Sequence, residues 1–184
     1  MKSHPLEMVL PTRGARMLAV VILTIATLWL SWIMQRLARG ISPGILAFEF
    51  AGTPANARRI LDAWGVGGEA RMLAQIGLDN YWLILYSTTL ALLCVMIAVR
   101  TRPIALRYAR LGTVLAWLAW AAAVLDRLEN LALVRSIEHG PTTVLTVSAF
   151  ICAAIKFAIV AACLLYILGS PFFPRFALFS RTSS

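Results

Sequence analysis

The sequence predicts an all-α integral membrane protein: a four-transmembrane-helix bundle with short amphipathic helices in the first extracytoplasmic loop. Three observations carry that expectation. Hydrophobic residues make up 60% of the chain and charged residues only 14%, with a mean hydropathy of +0.81, whereas a soluble domain is about 45–50% apolar. Four apolar stretches each approach the roughly 20 residues that a helix needs to cross a bilayer. Arginines gather at the ends of those stretches rather than along them. The 184 residues suit a single membrane domain.

The first span covers about residues 17–37 and follows Lys2, Arg13 and Arg16. The residues after it, QRLARG, offer no small-x-small cleavage pattern, so an uncleaved helix is expected. The second span is about 81–99, the third about 112–134 and the fourth about 144–168. Arg100, Arg102, Arg107 and Arg110 stand between the second and third spans with no acid among them. Together with the basic N-terminal tail and with Arg175 and Arg181 at the other end, they predict cytoplasmic N- and C-termini in a bacterial inner membrane. The net charge of +9 therefore reads as a topology signal and as contacts to anionic lipid. No nucleic-acid motif is present, and no nucleic-acid partner is expected.

The long first loop, 38–80, carries its own helix signals. In GTPANARRILDAWG, Thr53 is an N-cap, Pro54 occupies the first helical position and Gly65 is a stop. Ala57, Ile60, Leu61 and Trp64 share one face of this helix, about 54–64, which should lie on the outer membrane surface or cap the bundle. A second short helix, about 69–76, should end at Gly77. Before them, ILAFEFAG places Glu49 between Phe48 and Phe50, as in a partial helix that dips into the bundle. Trp29, Trp32, Tyr81 and Trp82 read as an aromatic belt, and PFFPRFALF, 171–179, as an interfacial anchor after helix four.

The chemistry concentrates in AAAVLDRLENLALVR, which sets Asp126, Arg127, Glu129 and Asn130 within an apolar segment. Lys156 is more isolated still, twelve residues from each end of the span 144–168, or about 18 Å at helical rise. A lone charge at that depth costs about 2.5–3.5 kcal/mol on insertion scales, so Lys156 must face inward and meet a carboxylate or lose its proton. Successive helical residues step by about 100°, which puts Asp126, Glu129, Asn130 and Leu133 on one face with Ala119 and Ala122, away from Trp117 and Trp120. Ala149, Cys152, Lys156, Val160 and Cys163 form a facing stripe of mostly small residues, along which two helices can approach closely. These stripes are expected to meet, with Lys156 near Asp126. The second span adds Asp79 at its start and Tyr86 two turns deeper on the same face.

Intramembrane ionisable groups mark functional sites by default. The expected site takes Asp126, Glu129 and Lys156 as acid–base residues and Glu49, Asp79, Tyr86 and Asn130 as ligand-binding residues, in a pocket open toward the outer leaflet. Asp126 is expected to be the more buried acid and Glu129, nearer the surface, the one left ionised. The ligand class is lipid-like or small and amphipathic, and membrane lipids are the surrounding partners. The alternatives are a subunit of an oligomeric small-solute or proton-coupled transporter and a structural accessory subunit of a larger membrane complex, with the charges only fixing helix register. Arg127 points about 100° from Asp126, toward lipid headgroups or the first loop. His139, in EHGP, belongs to a solvated turn. Three cysteines without a CxxC and two distant histidines point to neither a disulfide framework nor a metal or haem site, so no cofactor is expected. In helix number and buried carboxylates the pattern resembles the emopamil-binding group of sterol-handling proteins. It shares size and paired acids with lipoprotein signal peptidases, whose Asn- and Asp-centred motifs it lacks. Neither likeness transfers a residue.

Overall fold

The computed structural model describes residues 4–170, and every regular element among them is helical: α1 (Pro5–Val9), α2 (Arg13–Ala38), α3 (Ile45–Glu49), α4 (Pro54–Thr101), α5 (Leu106–His139) and α6 (Thr143–Gly169). Helices α2, α4, α5 and α6 are long and apolar enough to cross a membrane. The anchor expected at 171–179 lies outside the described residues.

Helices α2, α4 and α6 each begin at a threonine cap. Thr12, Thr53 and Thr142 accept hydrogen bonds from the backbone N–H groups of Ala15, Asn56 and Leu145, satisfying donors that the first helical turn leaves free. Gly65 breaks α4 in the expected place, with φ 59° and ψ 177°, conformations that essentially only glycine adopts. The chain before that kink packs Ala57, Ile60, Leu61 and Trp64 inward against Ala132 and Leu133 of α5 and Ala149 of α6. Trp64 is fastened further by its indole N–H, which donates to Pro43 O at 2.6 Å. The segment thus caps the bundle rather than lying flat beside it.

The separate helix expected at 69–76 does not exist as such. The chain stays helical through Gly77 and runs straight into the second candidate span. A glycine inside a helix costs only about 1 kcal/mol relative to alanine. The buried stripe of Met72, Gln75, Ile76, Leu83, Tyr86 and Leu90 continues on both sides of it and outweighs that cost.

Helix α5 packs along both α4 and α6, and α2 leans on α4. Two apolar clusters form the core. One joins Phe48, Trp64, Met72, Ile76, Leu133 and Ala149, and the other joins Leu83, Leu90, Val95, Ala116, Cys163 and Tyr166. The polar residues of interest fall in the gap between them: Asp79 after Ile76, Asp126 and Glu129 between Ala119 and Ala132, Lys156 between Ala149 and Cys163. Helix α2 is different, since among its residues only Arg16 and Leu30 are buried. Much of its apolar surface, including Ile25, Leu28, Trp29 and Trp32, is exposed.

At the bundle end where α2 begins, α1 folds back as a short plug that the sequence did not signal. His4 is fully buried, its ring 4.8 Å from that of Trp117 and 4.5 Å from that of Trp120. Burial lowers its pKa below the ordinary histidine range, while Glu7 pulls the other way. Arg16 closes the plug by donating through Nε to Leu10 O at 2.6 Å and through Nη2 to Pro11 O at 3.2 Å. Glu7 is bound from the far side by Arg102 at 2.9 Å.

Candidate functional site

Between the two apolar clusters the helices bring three carboxyl groups around one amine, with a fourth, that of Asp79, nearby. Lys156 Nζ lies 2.8 Å from Asp126 Oδ1, 2.8 Å from Glu129 Oε2 and 3.8 Å from Glu49 Oε2. Asp126 receives a directed hydrogen bond from Lys156 and, on its other oxygen, a second from the Tyr86 hydroxyl at 3.0 Å. One turn along α5, Asn130 Nδ2 donates to Asp79 Oδ2 at 2.7 Å. All seven residues singled out from the sequence fall in this one layer. They come together because small side chains on α5 and α6, Ala119, Ala122, Ala149 and Ala153, are fully or almost fully buried and let the backbones approach.

The order of burial among the acids is the reverse of the one expected. The side chain of Glu129 is 0% exposed and that of Asp126 3%. Glu129 also has the poorer bonding. Its contact to Lys156 is an ion pair at 2.8 Å, and Glu129 receives no second bond like the one Tyr86 gives Asp126 among the described residues. Position on the helix explains the difference. Asp126 meets the inward-pointing Tyr86 of α4, whereas Glu129 sits a turn further on, facing α3, where Glu49 arrives as a second acid.

Glu49 ends the five-residue helix α3 and is itself buried. Burial raises its carboxyl pKa above the ordinary value, and the neighbouring Lys156 opposes that rise without cancelling it. Its Oε2 makes the 3.8 Å ion-pair contact to Lys156, and Oε1 of the buried Gln75 has no hydrogen-bond partner among the described residues. Buried polar atoms left unpaired cost about 1–3 kcal/mol each and call for an explanation. Three carboxyls around one amine would leave two net negative charges if all were ionised, which burial disfavours.

A cavity of about 390 Å³ adjoins the cluster. Glu49, Asp79, Tyr86, Asp126 and Lys156 all line it. Glu129 and Asn130 do not. They reach it only through Lys156 and Asp79, so among the residues assigned from sequence these two hold others in place. The rest of the wall is mostly apolar, with Met34 and Ala38 of α2, Leu46 of α3, and Phe157 and Val160 of α6; of these helices only α2 had no part in the expected site. Gln35 and Ser31, polar residues in the apolar run of α2, also line it and were the available sequence signal for that helix. Both α2 and α6 contribute to the walls without forming a packed helix pair with each other.

Trp82 departs from the expected aromatic belt. Trp29, Trp32 and Tyr81 are exposed, but Trp82 turns inward, its ring 4.5 Å from that of Tyr86 and tilted against it, and donates its indole N–H to Ser31 Oγ at 2.7 Å. Arg127 turns away from the cluster and binds Asn80 Oδ1 at 2.8 Å, at the end of the former first loop. His139 is the last residue of α5 and well exposed. Cys94 and Cys163 are buried and Cys152 is partly buried, all three with free thiols. The chain matches no protein-family model, no curated protein and no solved structure.

Proposed function

We propose that this chain is a membrane protein whose interior pocket binds a lipid-like or small amphipathic molecule and exchanges a proton with it. One observation carries the reading: a single cavity of about 390 Å³ has Glu49, Asp79, Asp126 and Lys156 on its floor and Met34, Leu46, Trp82 and Phe157 on its walls. That volume falls in the range of small-molecule sites, about 300–1,000 Å³, which are mostly apolar with a few convergent polar groups. Glu49 and Gln75 on the same wall add a carboxyl group and an amide as polar groups for a ligand. In this reading Lys156 organises Asp126 and Glu129, and Glu49, which burial biases toward its neutral form, is the group placed to give a proton. The termini would be cytoplasmic and the pocket would lie toward the outer leaflet.

A purely structural role, with the charges fixing helix register, is favoured by the short contacts of Lys156 to two acids. An oligomeric transporter is less favoured, because the acids are enclosed by helices of one chain. The test is native mass spectrometry of the protein released from nanodiscs doped with single-chain amphiphiles bearing cationic, neutral or anionic heads. Asp79→Asn keeps the hydrogen-bonding shape and should weaken retention of one class by about tenfold without a change in melting temperature. Retention of no class, or equal retention by wild type and variant, would leave only the structural role.

A further inference from the structure

A second cavity lies at the opposite end of the bundle, where α2 begins and α4 ends. It is an open groove of about 440 Å³ between the two helices. Met17, Leu93, Met96 and Ile97 make its apolar walls. Arg13, Arg16 and Arg100 stand along it, and no acidic side chain among the described residues lines it. Of the three, Arg16 is buried and engaged with the backbone carbonyls of Leu10 and Pro11. Arg13 and Arg100 are exposed, and neither side chain makes a hydrogen bond or ion pair with a described residue. Glu7, the acid of the neighbouring plug, is already taken by Arg102 at 2.9 Å.

We propose that this groove binds one anionic phospholipid, its phosphate held between the guanidinium groups of Arg13 and Arg100 and an acyl chain laid along Met17, Leu93 and Met96. Three features support the choice. A guanidinium offers a planar fork that matches phosphate oxygens in pairs. Arg13 also stands at the N-terminus of α2, where the helix dipole adds to the attraction for an anion. A zwitterionic headgroup would bring its own cation into a rim that holds only positive charge, so the site should discriminate against it. The lipid would also tie together two helices, one of which, α2, buries little of itself against protein.

The probes are phosphatidylglycerol, phosphatidylcholine and free glycerol 3-phosphate, titrated onto the full chain in detergent and counted by native mass spectrometry. Phosphatidylglycerol should bind about tenfold more tightly than phosphatidylcholine, less so as salt rises. The double variant Arg13→Gln/Arg100→Gln should lose about tenfold of that affinity. Arg107→Gln/Arg110→Gln, at the same end but outside the groove, should keep it. If the glutamine variant does not fold, Arg13→Lys/Arg100→Lys takes its place and should lose the preference several-fold, since lysine lacks the fork. Equal losses in the groove variant and the control would reduce the effect to a diffuse field and overturn the proposal. So would an absent lipid preference, full retention in the lysine variant, or displacement by glycerol 3-phosphate at equal concentration.

Discussion

Replacing Lys156 by methionine removes the one amine that serves three carboxyl groups while nearly keeping the length of the side chain. Two of those groups lie at 2.8 Å and the third at 3.8 Å, with the lysine side chain 8% exposed. Removing one partner of a buried ion pair costs about 3–5 kcal/mol, because the remaining charge is left uncompensated. Lys156→Met should fall at the upper end of that range, since it orphans two carboxyls at once. Asp126→Asn is the informative comparison. There the amine keeps Glu129 at 2.8 Å, and the amide oxygen can still accept from Lys156 or Tyr86. Its cost should be that of weakening charged hydrogen bonds, about 1–3 kcal/mol. The expected difference is therefore about 2 kcal/mol in favour of the asparagine variant, by the same comparison. Reversible unfolding in mixed micelles, followed by the fluorescence of the six tryptophans, measures both. Equal losses, or a loss below about 1 kcal/mol for Lys156→Met, would mean that the amine does not hold two acids together, and the account of the site would fail.

Three further outcomes follow from the same coordinates. Glu49 has an ordinary pKa of 4.5 that burial raises in the fold. The folded state therefore holds that proton more firmly than the unfolded chain, and its contribution to stability should fall as pH climbs above about 4.5. A melting-temperature profile against pH should slope downward there and flatten in Glu49→Gln; an upward slope attributable to Glu49 would refute the assignment. At Gly112 a Cβ would collide with the Tyr166 hydroxyl and stand 2.6 Å from its Cζ. Gly112→Ala should cost about 1–3 kcal/mol of overpacking in chemical denaturation and be eased by the double variant with Tyr166→Leu. Gly65 and Gly77 both have open space where a Cβ would go, but only Gly65 has positive φ. Gly65→Ala should destabilise by about 1–3 kcal/mol, and Gly77→Ala should stabilise by about 0.5–1 kcal/mol, so unfolding midpoints should move in opposite directions.

What was legible in the sequence was whatever repeats with the helix. The apolar spans, the facing small stripes and the approach of Lys156 to Asp126 all follow from length and a step of about 100° per residue. Thr53, Pro54 and Gly65 were readable because caps and left-handed glycines are local chemistry. The boundary at Gly77 was misread because a glycine signals a stop only when no buried stripe runs past it, and the stripe from Met72 to Leu90 is visible only once α5 is in place. The relative burial of Asp126 and Glu129 depends on which neighbour each one meets, Tyr86 or Glu49, and that is tertiary information. The plug of α1 is five residues long, too short to show a period, and His4 declares itself only against Trp117 and Trp120 from a distant helix. The contribution of α2 to the cavity wall was hidden for a similar reason, since Ser31 and Gln35 look incidental in an otherwise apolar run.

The unpacked seam between α2 and α6 bears on how the pocket would be supplied. If that seam faces acyl chains, as the proposed topology has it, a compound reaching Lys156 first dissolves in the bilayer and then diffuses in two dimensions. Occupancy would then track mole fraction in the lipid phase rather than aqueous concentration. Diluting a preparation with inert lipid at constant total ligand would lower it, whereas adding buffer would scarcely change it for a strongly partitioning compound.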